Sequence, residues 1–337
     1  MRELAASLAR VALGTFPTPL EFAPRLSAAL GGPSIWIKRE DMSGLALGGN
    51  KTRQLEVLMA DALAGGADTV VVTAAAQSNF CRTTAAAAAK LSLRAVLLLR
   101  GAANSPRVGN LLLDELMGAE VEFISTTDPY DPAVPARLEG IVQRLRGEGR
   151  QPKLLHVVGG AGTLAAAAYV PFAEEMTAQF AANGITPSVI YVTAGSGLTM
   201  AGLSIGLVAL NSPARVIGVS AQQKEKFLRP IVQRRAGEVA DLLGLSAKLE
   251  AGDIEIDDSQ LGTGYGIATP AAVRAIEMAA RTEALLLDPV YTGKCMAGLI
   301  AHVQSGRWTR DDAIVFVHSG GAPGLFAYAA DRLAAAR

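Results

Sequence analysis

A single lysine that follows two glycines and an asparagine is the residue best suited to chemistry in this sequence. Gly48 and Gly49 precede Asn50 and Lys51, and an apolar pattern with helical spacing begins immediately afterwards. The positive end of a helix dipole disfavours a lysine ammonium there, and partial burial would lower its pKa further. Such an amine can attack a carbonyl and form an imine. A solvated lysine in a surface turn is the simpler interpretation of this stretch taken alone.

A polar cluster of Gln77, Ser78 and Asn79 follows the predicted strand Thr69–Thr73 and opens a helical pattern. Polar side chains at the carboxyl end of a parallel strand lie where α/β proteins bind ligands. The free backbone N–H groups at such a helix start attract a carboxylate. Ser78 and Asn79 are also favoured N-cap residues, so this motif by itself indicates capping more strongly than binding.

A glycine-rich loop, Ala194–Thr199, follows the predicted strand Val189–Thr193. Its backbone N–H groups could converge on a phosphate. The loop is not a Walker A motif, and it lacks the third glycine of a dinucleotide fingerprint. The next predicted strand ends without an acidic residue for a ribose, which argues against a nicotinamide dehydrogenase. A phosphomonoester is the better fit, and a tight turn without any ligand is the alternative.

Two further loops combine glycine with polar residues, Asp288–Lys294 and His318–Gly324. Tyr265 lies in the flexible run Gly262–Gly266, which could place a phenol in a site. Each of these segments is also compatible with ordinary loop structure, and a tyrosine in such a loop is often a rim or interface residue.

The composition indicates a globular chain with a large buried interior. Of 337 residues, 50% are hydrophobic and 18% are charged, and this length allows two domains with separate cores. Aromatic residues make up only 5%, so the core consists mainly of alanine, leucine and valine. The chain has 31 basic and 31 acidic residues without a basic stripe, so nucleic acid is not an expected partner.

Several features bear on the compartment of the protein. Cys81 and Cys295 are far apart and form no disulfide framework, which favours a reduced cytoplasmic protein. Met1–Gly14 predicts a short amphipathic helix and not a signal peptide. The longest uncharged stretch, Ile185–Ala214, is interrupted by glycine and proline, so no membrane span is expected. The sequence indicates no metal site.

Short apolar runs alternate with helical patterns along the chain, which predicts parallel sheets covered by helices on both faces. The predicted strands are Ile35–Lys38, Thr69–Thr73, Ala95–Leu99, Val121–Ile124, Leu154–Val158, Val189–Thr193, Val216–Ser220, Leu285–Leu287 and Ala313–His318. The predicted helices include Thr52–Ala64, Arg82–Lys90, Val108–Leu116, Pro135–Arg146, Leu164–Ala182, Thr199–Leu210 and Ala271–Arg281. A seam between domains is predicted near Gly159–Thr163.

Taken together, the motifs resemble those of one family, the pyridoxal-phosphate enzymes of fold type II. Within it they are most similar to the group of D-cysteine desulfhydrase and 1-aminocyclopropane-1-carboxylate deaminase. They follow the family's order over nearly the whole chain. The motifs that carry the resemblance are Lys38–Asp41, Gly48–Arg53, Gln77–Asn79, Gly195–Gly197, Asp288–Lys294 and Gly320–Gly324.

The resemblance implies two open, mostly parallel twisted sheets with helices on both faces, as in the tryptophan-synthase β chain. It implies a large cofactor-binding domain formed by residues 1–45 and 163–337, and a small domain formed by residues 46–162. The active site would lie between the two domains, and the protein would be a homodimer.

The resemblance also implies the roles of individual side chains. Lys51 would carry pyridoxal 5'-phosphate covalently, and Asn79 would face the ring hydroxyl of the cofactor. Ser78 would hold the substrate carboxylate or assist proton transfer. Tyr265 and Tyr291 would line the substrate side, and Lys51, Ser78 and these two tyrosines would be the catalytic residues. The implied cofactor contacts are Lys51, Asn50, Asn79, Gly195, Ser196, Gly197, Leu198, Thr199, Thr292 and Ser319. The implied substrate contacts are Gln77, Ser78, Asn79, Phe80 and Gly160.

The implied reaction is an α,β-elimination that converts a small, D-cysteine-like amino acid into pyruvate, ammonia and the released β-group. The cofactor acts as an electron sink, and Lys51 takes the α-proton. Deamination of the cyclopropane amino acid and removal of sulfonate from cysteate are the alternatives. A non-catalytic protein that only binds the cofactor is less consistent with the retained serine and tyrosines.

One position separates activities within the family. The cyclopropane deaminases have a glutamate where this chain has Thr292, and a carboxylate there would keep the pyridine nitrogen protonated. A hydroxyl would not, which favours elimination of a good leaving group over ring opening. Ser319 is a second candidate for the same contact.

Three departures from the family pattern concern the pocket. Phe80 stands where the family usually has histidine, which would make the pocket more apolar. Leu198 occupies a position that is often glycine or another small residue, and Gly159–Leu164 differs from the usual Pro-Leu-Gly pattern. These departures leave the cofactor prediction intact and allow an unusual or bulkier substrate.

Overall fold

Two separate sheets organise the computed structural model, which describes residues 4–128, 131–155 and 159–334. The strands in these ranges are β1 Leu20–Phe22, β2 Ser34–Lys38, β3 Thr69–Ala75, β4 Arg94–Arg100, β5 Glu120–Ile124, β6 Pro152–Leu154, β7 Val189–Ala194, β8 Arg215–Ser220, β9 Glu255–Asp257 and β10 Ala313–Val317. The helices are α1 Pro24–Leu30, α2 Lys51–Ala64, α3 Asn79–Lys90, α4 Gly109–Leu116, α5 Ala133–Gly147, α6 Ala161–Ala167, α7 Val170–Asn183, α8 Leu198–Ala209, α9 Glu225–Leu243, α10 Pro270–Glu283, α11 Thr292–Gln304 and α12 Ala322–Ala334. Short 3₁₀ turns cover Glu40–Met42 and Ala251–Asp253.

Both sheets are mostly parallel, as the alternation of strands and helices predicts. The larger sheet has the order β1-β2-β10-β7-β8-β9, and only its edge strand β1 runs antiparallel to its neighbour. The smaller sheet has the order β5-β4-β3-β6 and is parallel throughout. The larger sheet takes its strands from residues 20–38 and 189–317, and the smaller sheet takes its strands from residues 69–154. The division into a large and a small domain stays a prediction.

The sequences of the inner strands are apolar because helices cover both faces of each sheet. One apolar cluster joins the two sheets and includes Leu55 of α2, Cys81 of α3, Phe172 of α7 and Val192 of β7. A second cluster lies between the larger sheet and α1, α10 and α11. A third lies between the smaller sheet and α5. Because α2 and α3 belong to the shared cluster, the helix that starts at Lys51 is held by both halves of the molecule.

Several predicted elements are wrong. Leu285–Leu287 is irregular chain and belongs to neither sheet, whereas the short edge strands β1 and β9 were not predicted. The predicted helix Leu164–Ala182 is divided into α6 and α7, because Pro171 has no N–H to donate across the junction. Residues 4–14 form a turn followed by irregular chain instead of the predicted amphipathic helix, whose first three residues lie outside the described ranges.

Two further sequence predictions are only partly covered by the described chain. The predicted strand Leu154–Val158 begins earlier, as β6, and residues 156–158 lie outside the described ranges. In the part of the chain that is described, no helix has both the length and the apolar character needed to cross a bilayer.

Candidate active site

Lys51 is the first residue of α2, and its amine has no partner within the described chain. The side chain is half-buried, and neither a hydrogen bond nor an ion pair to another described residue holds its Nζ atom. Burial lowers the pKa of Lys51 to about 8. A substantial fraction of the amine is therefore unprotonated near neutral pH, which is the form that attacks a carbonyl.

The two glycines before Lys51 are required by close contact between backbones. Gly48 and Gly49 have φ angles of 65° and 110°, which residues other than glycine rarely adopt. A Cβ on Gly48 would lie 1.9 Å from the carbonyl oxygen of Asp41. A Cβ on Gly320, in the loop after β10, would lie 2.6 Å from the Cα of Gly49. The main chain of Gly48–Lys51, called here the Lys51 segment, therefore packs directly against the main chain of the loop after β10.

Asn50 ties the Lys51 segment to two other loops. Its side-chain amide donates to Thr199 Oγ1 at 3.1 Å, and its backbone N–H donates to the carbonyl of Ser319 at 3.0 Å. The carbonyl of Asn50 accepts a hydrogen bond of 2.9 Å from the buried hydroxyl of Tyr169. These bonds join the predicted lysine and the predicted phosphate loop, which are far apart in sequence.

The glycine-rich loop after β7 presents free backbone amides. Gly197 has a φ angle of 81° and turns the chain into α8, whose start has no side-chain cap. Within the described chain, the N–H groups from Ser196 to Thr199 have no backbone acceptor. The side chain of Leu198, where the family often has a small residue, is buried in the core cluster that joins the sheets. Such a helix start binds anionic groups.

Ser78 is the N-cap of α3, as the motif predicts. Its Oγ atom accepts hydrogen bonds of 3.2 Å from the backbone N–H groups of Phe80 and Cys81. Because both bonds are accepted, the hydroxyl proton of Ser78 remains available to an acceptor in the cleft. Capping and binding are therefore compatible at this residue.

Asn110 is a buried residue of the site region that the motifs did not identify. Its side-chain amide donates to Asn79 Oδ1 at 3.0 Å and to the carbonyl of Gln77 at 2.9 Å. With its Oδ1 occupied, Asn79 has its NH₂ group free to donate to a ligand. The side chain of Gln77 accepts from the N–H of Asn110 and donates to the carbonyl of Val108, so it holds α4 in place.

The side chain of Phe80 and the whole of Gly160 form no hydrogen bond with the lysine or the serine of the site in the described chain. Phe80 is 7% exposed, and its ring belongs to the core cluster that joins the sheets. Gly160 is exposed at the start of α6, and in the described chain no hydrogen bond connects it with the lysine or serine of the site. Their predicted contacts with substrate stay predictions.

Tyr265 and Tyr291 form a hydrogen-bonded pair on the side of the larger sheet. Their rings meet edge to face with centroids 6.0 Å apart. A Cβ on Gly195 would lie 3.7 Å from Tyr291 Cε1, so the pair adjoins the phosphate loop. Burial of the phenol oxygens raises the pKa of both tyrosines, and both therefore stay protonated at neutral pH.

Two residues that the motifs left without a role support the tyrosine pair. The buried Lys294 donates to the carbonyls of Leu261 and Gly264, at 2.8 and 3.3 Å, and so holds the loop that carries Tyr265. Tyr328 of α12 adjoins the same loop, because a Cβ on Gly266 would lie 3.5 Å from its hydroxyl. No local sequence pattern marks Tyr328, since its partners lie far away in the chain.

Of the two hydroxyls predicted to reach the pyridine nitrogen, only Ser319 is free. Thr292 Oγ1 donates to Asp288 Oδ1 at 2.7 Å and accepts from the N–H of Asp288 at 2.8 Å. Asp288 also accepts from three backbone N–H groups, so its carboxylate is fully engaged. Ser319 is half-buried, and its hydroxyl has no hydrogen bond within the described chain.

A buried charge cluster fixes the first turns of α2 and accounts for the Lys38–Asp41 motif. Arg53 pairs with Glu40 at 2.6 Å and with Glu175 of α7 at 2.9 Å. Lys38 also pairs with Glu175 and donates to Gln179 Oε1 at 2.7 Å. Because every charged side chain in the cluster has a partner of opposite charge, these side chains can stay charged although they are buried.

A second buried pair lies behind the Lys51 segment. Arg82 donates to the carbonyl of Gly48 at 2.7 Å, and its remaining nitrogens Nε and Nη1 have no partner in the described chain. Neither carboxylate oxygen of the buried Asp114 has a partner there either. Burial raises the pKa of Asp114 to about 8, and the charge of Arg82 opposes this shift. Arg82 thus links α3 to the glycines that position Lys51.

These residues fit pyridoxal phosphate. The amine of Lys51 has no partner in the described chain. The neighbouring residue, Asn50, donates a hydrogen bond to Thr199, which is the last residue of the loop with free amides. An amine for the aldehyde and amides for the phosphate are therefore brought together between two α/β sheets. This fold and this site define a pyridoxal-phosphate-dependent enzyme of fold type II.

Comparison with known proteins establishes the family. The chain belongs to the family described as "Pyridoxal-phosphate dependent enzyme", whose model matches residues 11–320. It is 42% identical over 318 residues to proteins named D-cysteine desulfhydrase from Salmonella choleraesuis (strain SC-B67) and Salmonella paratyphi C (strain RKS4594), with 93% of this chain and 94% of each relative covered. A solved structure described as an ACC deaminase homologue superimposes with a TM-score of 0.89 and 34% identity, covering 99% of this chain and 98% of that one. The predicted family, fold class and cofactor are confirmed.

Proposed function

We propose that this protein catalyses the α,β-elimination and deamination of a small, D-cysteine-like amino acid to pyruvate, ammonia and the released β-group. The observation that carries the proposal is that the free side chain beside the Lys51 segment is the hydroxyl of Ser319. The carboxylate of Asp288 is sequestered by Thr292 and by backbone amides. A hydroxyl does not keep a pyridine nitrogen protonated, and a moderate electron sink suffices when the β-substituent leaves readily.

The side chains divide the binding of the cofactor among them. Lys51 would hold its aldehyde carbon, the amides from Ser196 to Thr199 its phosphate, and the free NH₂ group of Asn79 its ring hydroxyl. When bound, the cofactor withdraws electrons from the Cα atom of the substrate. Asn50 and Asn110 would keep the binding groups in register through the hydrogen bonds described above.

Three groups would act on the substrate. The Ser78 hydroxyl and the start of α3 would bind the substrate carboxylate. The Lys51 amine, in its unprotonated form, would accept the α-proton. The phenol of the Tyr265–Tyr291 pair whose proton is not used within the pair would donate a hydrogen bond to the departing β-group. The similarity to proteins named D-cysteine desulfhydrase supports this reaction class.

We also propose that the protein is a cytoplasmic homodimer. The apolar side chains of Met42, Leu47 and Leu286 are 49%, 59% and 50% exposed and line one shallow depression, which a second copy could cover. Both cysteines are free and buried, which suits a reducing compartment. Light scattering during gel filtration tests the dimer, and cell fractionation tests the location.

The proposed reaction is tested by offering the cofactor-loaded enzyme D-cysteine, L-cysteine, cysteate and 1-aminocyclopropane-1-carboxylate. Pyruvate with sulfide from D-cysteine is the expected result. A product of 2-oxobutyrate would instead show ring opening. Sulfite with pyruvate from cysteate, and no sulfide from cysteine, would show sulfonate removal. No turnover of any compound by a protein that binds the cofactor would support a non-catalytic role. Lys51→Ala should abolish turnover, and Lys153→Ala, at an exposed ion pair with Asp61, is the matched control.

A further inference from the structure

Arg100 lies at the carboxyl end of the strands of the smaller sheet, as does the loop that carries Gln77 and Ser78. It is the last residue of β4 and pairs in register with Ala75, the last residue of β3. Its carbonyl accepts a hydrogen bond of 3.3 Å from the N–H of Ala76. Gln77 and Ser78 follow directly, so Arg100 is on the strand next to the one that delivers the proposed carboxylate site.

The guanidinium of Arg100 has no acceptor among the described residues. Its Nε atom is buried without a hydrogen-bond partner, and no described carboxylate lies within ion-pair distance of the group. Arg94, at the other end of the same strand, differs in this respect, since it pairs with Glu120 and with Glu148. An unpaired buried donor is unfavourable, so there is room beside Arg100 for an acceptor that the described residues do not supply.

The surroundings of Arg100 identify where such an acceptor would lie. Burial raises the pKa of Tyr265, and the positive charge of Arg100 acts on that phenol in the opposite direction. The charge of Arg100 also acts on the thiol of Cys81 in the first turn of α3. Arg100 is therefore close enough to Tyr265 and to the first turn of α3 for its charge to act on both.

Neither of two buried carboxyl groups in this region forms an ion pair with Arg100. Asp288 is engaged by backbone amides and by Thr292, and burial raises the pKa of Asp114 to about 8, so that this carboxyl group is largely uncharged at neutral pH. The guanidinium of Arg100 therefore has no ion-pair partner among the described residues. A planar guanidinium binds carboxylate, sulfonate and phosphate groups through paired hydrogen bonds.

We propose that Arg100 determines specificity by binding a second anionic group on the substrate, beyond its α-carboxylate. The preferred substrate would be a small amino acid whose β-leaving group is a sulfonate or a phosphate, or is a thiolate that carries a carboxylate. This inference rests on the elimination reaction proposed above and names the class of substrate that would enter it.

The test compares neutral and anionic amino acids of similar size on the cofactor-loaded enzyme. The probes are both enantiomers of cysteine, cysteate, aspartate and O-phosphoserine, and spectral titration of the bound cofactor gives each dissociation constant independently of turnover. The proteins are wild type, Arg100→Gln, Arg100→Lys and, as a control on the same strand, Arg94→Gln. Initial rates on each compound supply kcat and KM separately.

We expect Arg100→Gln to weaken the best anionic ligand by about ten- to a hundred-fold relative to cysteine, since this is the usual contribution of a charged hydrogen bond. The loss should fall on the dissociation constant and KM more than on kcat. Arg100→Lys should recover part of it, and Arg94→Gln should change nothing. The preference for the anionic ligand should also weaken with rising salt.

Equal loss for neutral and anionic compounds in Arg100→Gln, or no loss in either, would overturn the inference. Binding of cysteine but of none of the anionic compounds to wild type would overturn it as well. If an anionic compound binds in an Arg100-dependent way but nothing is turned over, the specificity proposal stands and the elimination proposal fails. If no compound binds to an enzyme that holds the cofactor, both fail.

Discussion

The cofactor side and the substrate side of the cleft are built in different ways. On the cofactor side, main chain packs against main chain at Gly49 and Gly320, and Asn50 is bonded to loops on two other strands. On the substrate side, Tyr265 is 40% exposed, and the guanidinium of Arg100 has no partner in the described chain. The first region is fixed by its own contacts, whereas the second is left with groups that await a ligand.

This difference indicates how one scaffold serves several reactions. The cofactor must be held in the same position whichever bond is broken, so its site depends on close main-chain packing at glycines. Selection of the substrate depends on a few side chains from separate elements, here β4, α3 and the loops that carry the tyrosines. Changes on the cofactor side should therefore have the larger effects, and changes on the substrate side the more selective ones.

Gly320→Ala should have the largest effect. Its added Cβ would lie 2.6 Å from the Cα of Gly49, at a φ angle of 93°. We expect the free energy of unfolding to fall by about 3 kcal/mol or more, with loss of cofactor binding. Gly237→Ala is the matched control, because its Cβ would meet nothing within 4 Å inside α9. The control should gain about 0.5–1 kcal/mol in chemical denaturation. Equal stability of the two variants would contradict the close packing.

Thr292→Val should destabilise the protein more than Ser319→Ala. Thr292 loses two hydrogen bonds to the buried Asp288, which should cost about 1–3 kcal/mol. Ser319→Ala removes a hydroxyl without an internal partner, so unfolding should change by about 0.5 kcal/mol or less. Its effect should appear in kcat and in the absorption spectrum of the bound cofactor. Denaturation and kinetics on both variants would decide which hydroxyl faces the ring, and the reverse pattern would assign that role to Thr292.

Asn50→Ala should weaken cofactor binding without unfolding the protein. It removes one neutral hydrogen bond to Thr199, so the dissociation constant for pyridoxal phosphate should rise about three- to ten-fold. Asn50→Ala combined with Thr199→Val should raise this dissociation constant no more than the more damaging single change does, because both changes remove the same hydrogen bond. Fully additive losses would show that the bond does not connect the two loops in solution.

The pH dependence of cofactor capture should report on Lys51. Since burial lowers its pKa to about 8, the unprotonated fraction should rise about five-fold from pH 7 to pH 8 and less than two-fold from pH 8 to pH 9. Stopped-flow absorbance of the cofactor-free protein mixed with pyridoxal phosphate measures this rate. A lysine with the ordinary pKa would instead give a ten-fold rise per unit through pH 9. That outcome would place the amine in water.

The cofactor side could be predicted from sequence because its groups occur in short contiguous motifs. Gly48 to Lys51 and Gly195 to Gly197 carry both the chemistry and the backbone conformation it needs. The contacts of Asn110, Arg100 and Tyr328 could not be predicted, because their partners lie on other strands and helices. The choice between Thr292 and Ser319 also required the structure, since it depends on which hydroxyl Asp288 has already engaged.

The failures in secondary structure have similar causes. Leu285–Leu287 has the apolar character of a strand, but no neighbouring strand is available to pair with it. The short strands β1 and β9 are three residues each, too short for a periodic signal, and are formed only by pairing at the sheet edges. The division between α6 and α7 follows from Pro171, whose effect a long apolar pattern concealed.

The most direct test reduces the cofactor-loaded protein with borohydride and locates the modified residue by peptide mass spectrometry. Lys51 should carry the phosphopyridoxyl group, because its amine is half-buried and has no partner in the described chain. Lys38 and Lys294 are buried as well, but both already donate to acceptors within the fold. Modification of either of these lysines, with Lys51 left unmodified, would contradict the account.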